Sequence, residues 1–292
     1  MNNKLIQFQK QRDLGDVISD TFSFIRENYK LLLKLIFRIT GPVFIVLVLA
    51  LSYYSYLGLD TFQNPIFGIY SGENADMIII SFFILMFSVI AFYVLLYATV
   101  LHFIRSYIEN DGIVNDTEVY RGVKDQFGSM LGLLLLIGIM LFIGLIMCFL
   151  PGIYLWVPLS IAPAVLVFQK QSVGNSIIDS FNLIKDNWWV TFFTLFVITI
   201  LVFIIGLVFQ VPMFFYMLIK TLTSAEAIKA GDPSSLVDWF SVTMNVISNL
   251  AQYLLSTIVI IASAFIYHDL DEKKNFTGSY KTISELGSSE NN

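Results

Sequence analysis

The chain has 292 residues, of which 57% are hydrophobic and only 13% are charged, and its formal net charge is −5. Soluble globular domains carry about a quarter of charged residues, so this composition, with a mean hydropathy of +0.75, excludes a soluble globular protein. The chain is predicted to be a multi-pass membrane protein.

Six apolar stretches are each long enough to cross a hydrocarbon core of about 30 Å, which takes roughly 20 residues of helix. Lipid offers backbone groups no hydrogen-bond partners, so each stretch is predicted to be a helix. The expected fold is all-α, an integral membrane helical bundle with six transmembrane helices. We place these spans at residues 35–57, 78–104, 129–149, 153–169, 190–218 and 246–267.

A ten-residue pattern occurs three times, each copy ahead of a long apolar run: residues 20–29 (DTFSFIRENY), 118–127 (EVYRGVKDQF) and 179–188 (DSFNLIKDNW). In each copy position 1 is an acid, position 3 is aromatic and position 6 is Ile or Val. Positions 7 to 10 are a base, an acid, an amide and an aromatic residue, and positions 2, 4 and 5 vary. Such a repeat divides the chain into equivalent units. We predict one membrane domain over residues 1–276, with units at 14–109, 112–169 and 173–268.

The repeat copies are amphipathic at helical spacing. Along the first copy and the two residues ahead of it, one stripe of the helix holds Ile18, Phe22, Ile25 and Tyr29. We expect each copy to form an interfacial helix in the membrane plane, followed by a transmembrane hairpin. Asp16 and Asn175 are candidate N-caps for the first and third copies. Gly122 lowers helix stability by about 1 kcal/mol relative to Ala, so the second helix is expected to be shorter or partly unwound.

A basic ladder opens the first span, where Lys30, Lys34 and Arg38 follow one another at i, i+4 and i+8. Such side chains usually extend to the headgroups at the membrane surface. The alternative is a binding slot for the phosphate of an anionic lipid, with Arg38 as its deepest charge. The loop after this span, residues 53–74, is rich in aromatic residues and predicts interfacial anchoring, with sugar or partner binding as the alternative.

Two groups of polar residues close the second and sixth spans. They are His102, Arg105 and Glu109 in the second, and His268, Asp269 and Asp271 in the sixth. If the two groups meet, paired histidines and carboxylates could bind a metal ion or transfer protons. The alternative is a polar collar at the membrane surface.

The third and fourth spans are separated by Pro151 and Gly152, which predict a tight helical hairpin. One long kinked helix is the alternative. Cys148, the single cysteine, is expected to be a packed apolar side chain of the third span, and one cysteine forms neither a disulfide nor a thiolate metal site within one chain.

The last two spans contain a few amides and almost no ionisable residues. These amides are Gln210, Asn245, Asn249 and Gln252. In a helical bundle they are typical of interhelical hydrogen bonding, and a substrate path through a polar interior is the alternative. Residues 277–292 are rich in Ser, Gly and acids and are predicted to be a disordered cytoplasmic tail.

Basic residues predict the orientation of the chain. Of the 17 lysines and arginines, 15 fall on the side of the two termini, and only Lys220 and Lys229 fall opposite. By the positive-inside rule both termini face the cytoplasm, and so do all three repeat copies. The first 30 residues lack the apolar core and cleavage site of a signal peptide, so the first span is expected to insert the chain.

Several segments resemble a known family. They are residues 14–29 (LGDVISDTFSFIRENY), 151–167 (PGIYLWVPLSIAPAVLV), 176–189 (SIIDSFNLIKDNWW) and 265–275 (FIYHDLDEKKN). Together they resemble the membrane domain attached to some bacterial glycerophosphoryl diester phosphodiesterases, which also occurs as stand-alone multi-pass proteins. The resemblance implies a membrane domain of this kind without the phosphodiesterase, because that activity belongs to a separate soluble barrel for which this chain has no room.

The chain contains no Walker motif, nucleophile elbow, zinc signature or basic nucleic-acid patch. We therefore expect a non-enzymatic inner-membrane protein that interacts with lipids or organises the membrane, without a cofactor and without nucleic acid. A small transporter or channel is the alternative function. Whether the chain forms a homo-oligomer or pairs with another membrane protein is left open.

Overall fold

A computed structural model of the chain describes residues 6–57, 75–147, 149–223 and 239–280. Besides a short helical stretch at residues 277–280, these residues form seven helices and no β-strand: α1 (Leu14–Leu57), α2 (Ala75–Glu109), α3 (Asp116–Met147), α4 (Phe149–Gln169), α5 (Val173–Ile184), α6 (Trp188–Thr223) and α7 (Trp239–Asn275). Within the described ranges, the six helices other than α5 are long and apolar enough to cross a membrane. The predicted all-α fold with six such helices is confirmed, and the protein is a multi-pass membrane protein.

The three repeat copies differ in how they join the span that follows. The first and second copies are the opening turns of α1 and α3, which continue into the apolar spans without a break. Residues 29–40 contain neither Gly nor Pro, so nothing there ends the helix. Only the third copy forms a helix of its own, α5, which a short turn separates from α6. The expected separate helix ahead of each span is thus found once among the described residues.

The third and fourth spans form the predicted hairpin, because α3 and α4 pack closely against each other. A Cβ atom at Gly144 of α3 would lie 3.1 Å from the Cα atom of Gly152 in α4. The alternative of one long kinked helix is wrong. α4 begins at Phe149, so Pro151 and Gly152, which were expected to form the turn, lie in its opening residues, where a proline is tolerated. Cys148 lies outside the described residues.

The described residues divide into two compact units. The first unit comprises the described parts of Met1–Ile39, Val94–Ile200 and Thr257–Asn292. At its centre is a cluster of rings: Phe24 contacts Phe8 at a centroid distance of 5.2 Å and Tyr107 at 5.1 Å. Phe8 also stacks on Phe265 of α7 at 4.2 Å. Through these rings the N-terminal segment, α1, α2 and α7 share one core.

The second unit comprises the described parts of Thr40–Tyr93 and Leu201–Ser256. Phe92 of α2 packs on Phe44 of α1 at 5.7 Å and on Tyr253 of α7 at 5.9 Å. The hydroxyl of Ser248 in α7 donates to the carbonyl of Phe209 in α6 over 2.7 Å. Aromatic packing and one buried hydroxyl therefore hold these four helix segments together.

Gly122 lies in an unbroken helix, so the predicted shortening of the second repeat copy is wrong. α3 runs from Asp116 through Gly122 to Met147. A Cβ atom at Gly122 would lie 2.3 Å from Nδ1 of His102. The glycine therefore gives the imidazole of α2 room against the backbone of α3, which offsets its low helix propensity.

The N-termini of α1 and α5 are capped by residues that lie three positions ahead of the predicted caps. The carboxylate of Asp13 accepts from the N–H of Asp16 over 2.8 Å, and Ser172 accepts from the N–H of Asn175 over 3.4 Å. Asp16 and Asn175 therefore present their backbone N–H groups, and the prediction that they are the caps is wrong.

The predicted disordered tail begins with an ordered turn. Residues 277–280 are helical, and the carboxylate of Glu272 accepts from the N–H groups of Gly278 over 2.6 Å and Ser279 over 3.1 Å. The remainder of that tail, residues 281–292, lies outside the described residues, as do the two loop segments 58–74 and 224–238.

Candidate functional site

Arg12 is the most completely enclosed charge of the N-terminal segment, and its side chain is fully buried. Its guanidinium donates to the Asp20 carboxylate over 2.9 Å, to the carbonyl of Phe8 over 2.5 Å, and to the carbonyls of Lys10 and Gln7. Burial lowers the pKa of Arg12, while the hydrogen bond to Asp20 acts in the opposite direction. This network folds residues 7–12 around a single cation.

Asp269 joins the same segment to the end of α7. One carboxylate oxygen accepts from the backbone N–H of Arg12 over 2.6 Å, and the other accepts from the ammonium of Lys273 over 2.6 Å. Lys273 also donates to the carbonyl of Arg12 over 3.3 Å. Asp269 is therefore a structural clamp on the N-terminal segment.

The first acid of the repeat has a structural partner in two copies. Asp20 binds Arg12 as described, and Glu118 accepts from the hydroxyl of Ser106 over 3.0 Å and from the amide of Asn110 over 2.8 Å. Both contacts tie the repeat copy to a neighbouring element of the first unit. These acids therefore act in packing within the protein, in addition to any contact with solvent.

Sequence reasoning missed the second position of the repeat, which the pattern leaves unconstrained. Thr21, Val119 and Ser180 occupy it, and all three are buried at 1% exposure or less. Their one common signal is small size, which lets a helix approach its neighbour closely. The aromatic third position lies further out, since Phe22 and Tyr120 are both exposed.

The two polar groups predicted at the ends of the second and sixth spans meet only in part. His102 bonds to Gln126 over 3.2 Å and lies against Gly122. Arg105 and Glu109 instead share a cavity of about 290 Å³ with residues of α4 and α7. The walls of this polar cavity include Arg105, Glu109, Phe168, Gln169, His268 and Asp271.

A metal site built on paired histidines is not formed. His102 does not line the polar cavity, and His268 does. Within the described ranges, no group of three or more His, Cys, Asp or Glu side chains is placed to hold a metal ion. The polar groups of α2 and α7 consequently act separately: His102 in helix packing, Asp269 as a clamp, and His268 with Asp271 as cavity walls.

A larger cleft of about 630 Å³ lies where α4, α5 and α6 come together in the first unit. Its floor is aromatic: Trp188 stacks on Tyr154 at 5.6 Å, and the Trp188 indole N–H donates to the Tyr154 carbonyl over 3.4 Å. Its rim carries Lys185 and Asp186, both exposed, from the turn between α5 and α6. We call this the aromatic cleft. It is formed by the end of the third repeat copy.

The basic ladder of α1 lies beside an acid of α3. Lys34 Nζ is 3.6 Å and a guanidinium nitrogen of Arg38 is 3.7 Å from the Asp116 carboxylate. The Lys34 and Arg38 side chains remain 64% and 68% exposed, and Lys30 lies 5.9 Å from the Tyr29 ring centroid. The ladder is accessible to solvent. The Asp116 carboxylate, which the sequence pattern did not link to these residues, neutralises part of its positive charge.

The amides of the last two spans lie in different surroundings. Asn249 donates to the Asn245 carbonyl over 2.8 Å, and the Gln252 amide lies over Gly206, where a Cβ atom would be 2.4 Å from its oxygen. Asn245, Asn249 and Gln252 are half-buried. Gln210 is exposed on α6, so its predicted place in a polar interior is wrong.

Comparison with known proteins returns no relative: no family model, no curated protein and no solved structure matches this chain. The resemblance to the phosphodiesterase-associated membrane domain stays a prediction from the sequence segments that carry it.

Proposed function

We propose that this protein is a non-enzymatic membrane protein that binds phospholipid, and that the aromatic cleft receives the lipid. The observation that carries the proposal is the composition of the cleft. It combines a lysine from the turn between α5 and α6, the stacked rings of Tyr154 and Trp188, and exposed apolar side chains at the start of α6. A volume of about 630 Å³ is in the range of small-molecule sites and accommodates a headgroup with the first part of an acyl chain.

The chemistry of the cleft matches the order of groups along a phospholipid. Lys185 at the rim supplies the charge for a phosphodiester, and the Trp188 ring offers an amphipathic surface to the glycerol region. Trp189 and Val190 in the wall of the cleft and Phe193 one turn further along α6 are each at least half exposed, and an acyl chain can lie along them. A soluble polar substrate would gain no contact from these exposed apolar side chains.

We further propose that both termini lie on the cytoplasmic side of the inner membrane. The 15-to-2 distribution of the 17 basic residues supports this orientation.

The alternative function, a small transporter or channel, receives less support. A path through the spans requires amides free to contact a passing substrate, whereas Asn249 bonds to Asn245 and the hydroxyl of Ser248 bonds to the carbonyl of Phe209. These are contacts within and between helices, as expected of polar groups that stabilise helix packing in lipid.

Lys185→Gln is expected to reduce phospholipid binding by roughly three- to tenfold, because a lysine–phosphate contact is a charge-assisted hydrogen bond. Trp188→Ala is expected to reduce it further by removing the stacked floor on Tyr154. Native mass spectrometry of the purified protein measures the number of retained lipids. Lys124→Gln is the matched control: Lys124 holds the same repeat position in the second copy, is exposed, and does not line the cleft. Equal lipid retention in Lys185→Gln and Lys124→Gln contradicts the proposal.

The basic ladder is proposed as a second, anionic-lipid contact. Asp116→Asn is expected to increase binding of phosphatidylglycerol vesicles severalfold, because it removes the carboxylate that competes with lipid phosphate for Lys34 and Arg38. Arg38→Leu is expected to lower it. A vesicle co-flotation assay measures both, with Arg121→Leu as the control for loss of an exposed arginine. If Arg38→Leu binds anionic lipid normally, the ladder is only an interfacial anchor.

A further inference from the structure

The base, acid and amide near the end of the third repeat copy lie in a turn. α5 ends at Ile184, and Lys185, Asp186 and Asn187 connect it to α6. The N–H of Asn187 donates to the carbonyl of Ile184 over 2.8 Å, which closes the turn. All three connecting residues line the aromatic cleft. Phospholipid binding as proposed above uses Lys185 and gives Asp186 no role.

The corresponding residues of the first two copies lie on unbroken helices. Glu27 of α1 and Asp125 of α3 are exposed, and neither lines the aromatic cleft or the polar cavity. The amides that follow them bond within the protein: Asn28 donates to a carbonyl of its own helix over 3.1 Å, and Gln126 bonds to His102 over 3.2 Å. The same residue types therefore line the cleft only in the third copy, where the helix is interrupted.

The cleft presents one positive and one negative side chain next to each other. Lys185 and Asp186 are consecutive, so their Cα atoms lie about 3.8 Å apart. Both are exposed, and within the described part of the chain neither forms an ion pair. They are the two charged residues among the described walls of the cleft, and Lys274 donates to the carbonyl of Asn182 from outside these walls. Both charges are accessible to a ligand.

This pair of charges discriminates between classes of phospholipid. An anionic lipid presents a phosphodiester, which Lys185 attracts and Asp186 repels, so the two effects offset each other. A zwitterionic lipid presents a phosphodiester and, after a short carbon link, an ammonium group, so each charge of the headgroup has an opposite charge beside it. Specificity of this kind comes from a group that repels the wrong ligand as well as from one that attracts the right ligand.

We propose that Asp186 makes the aromatic cleft selective for a phospholipid whose headgroup carries an ammonium group. The Asp186 carboxylate binds the ammonium group, and Lys185 binds the phosphodiester. The amide oxygen of Asn187 offers a further acceptor to an ammonium group that has N–H donors. This selectivity rests on the proposed phospholipid binding and adds the class of headgroup. Ethanolamine and choline headgroups share the required charge, and only ethanolamine has N–H donors.

The first test measures which lipid the cleft retains. Full-length protein in mild detergent is equilibrated with equal amounts of phosphatidylethanolamine and phosphatidylglycerol of different mass, and native mass spectrometry gives the ratio of the two bound lipids. Asp186→Asn is expected to lower the ratio of phosphatidylethanolamine to phosphatidylglycerol roughly threefold, because the amide keeps the shape of the side chain and removes its charge.

Asp125→Asn is the matched control for Asp186→Asn. Asp125 holds the same repeat position in the second copy, is exposed, and does not line the cleft. This variant is expected to keep the wild-type ratio of the two lipids. Both variants retain the basic ladder, so anionic lipid bound there contributes equally to both measurements.

A second test uses the wild-type protein and changes the lipid. Phosphatidylethanolamine acetylated on its nitrogen keeps the phosphodiester and loses the ammonium charge, and it is expected to be retained roughly threefold less than phosphatidylethanolamine. This comparison decides even if Asp186→Asn does not fold. Phosphatidylcholine distinguishes the two headgroups: equal retention with phosphatidylethanolamine assigns the selectivity to charge, and weaker retention assigns part of it to N–H donors.

The selectivity is overturned if Asp186→Asn and Asp125→Asn retain the two lipids in the same ratio, or if the wild type retains the acetylated lipid as well as phosphatidylethanolamine. Loss of lipid in Lys185→Gln would then still support phospholipid binding by the cleft. Equal lipid retention in Lys185→Gln and Lys124→Gln overturns phospholipid binding by the cleft, and the selectivity with it.

Discussion

Arg12→Leu is expected to lower the free energy of unfolding by about 3 kcal/mol, because removing one partner of a buried ion pair leaves the other partner and its hydrogen bonds unsatisfied. The substitution leaves the backbone carbonyls of residues 7, 8 and 10 without the guanidinium donor, and it leaves Asp20 with the exposed Lys10 as its ion-pair partner. Arg12→Lys is expected to recover only part of the loss, since an ammonium cannot reproduce the planar fork of donors. Denaturation in mixed SDS micelles measures the change.

Lys10→Gln provides the matched control for Arg12→Leu. Lys10 pairs with the same Asp20 oxygen over 3.2 Å, but its side chain is 44% exposed. An exposed pair contributes at most about 1 kcal/mol, so this variant is expected to unfold nearly like the wild type. Equal losses for the two variants would contradict a special role for the buried guanidinium.

Gly122→Ala is expected to destabilise the protein by about 1–3 kcal/mol, although alanine is the better helix former. The new Cβ atom would lie 2.3 Å from Nδ1 of His102, so the imidazole has to move, and its bond to Gln126 is disturbed. The same denaturation experiment measures the loss. A combined Gly122→Ala and His102→Ala variant is expected to lose less than the two single losses added together, because the clash is absent.

Gly128→Ala tests the same substitution in the same helix with the opposite expected sign. A Cβ atom there has no neighbour within 4 Å, so the substitution is expected to stabilise α3 by about 0.5–1 kcal/mol. If Gly122→Ala is also stabilising, the close approach of His102 to α3 is wrong.

The helices themselves could be predicted, because a membrane leaves a long apolar stretch only one way to satisfy its backbone. All six spans follow from that rule, and the hairpin of α3 with α4 was predicted as well, although Pro151 and Gly152 lie within the first residues of α4 and not in the turn. The helix limits were less predictable. α1 starts at Leu14, about 20 residues ahead of the predicted span, because hydropathy marks where a helix is apolar and does not mark where it begins.

The candidate sites were only half predictable. Arg105, Glu109, His268 and Asp271 were identified as polar groups that could meet, and they do line one cavity, while His102 turns to Gln126 instead. Periodicity shows which residues share a helix face, but it does not show which neighbouring helix that face meets. The aromatic cleft was missed, since Tyr154 and Trp188 are 34 residues apart and neither is unusual by itself.

The sequence by itself determined that this chain enters a membrane through six helices, since composition and length decide the transfer of each span from water to lipid. Tertiary structure alone decided what the polar residues do. Asp269 binds the backbone of Arg12 across 257 residues, and Glu118 binds Ser106 across a loop. Such pairs depend on the path of the chain, because a charge or hydroxyl close to lipid is stable only beside a partner that folding brings to it.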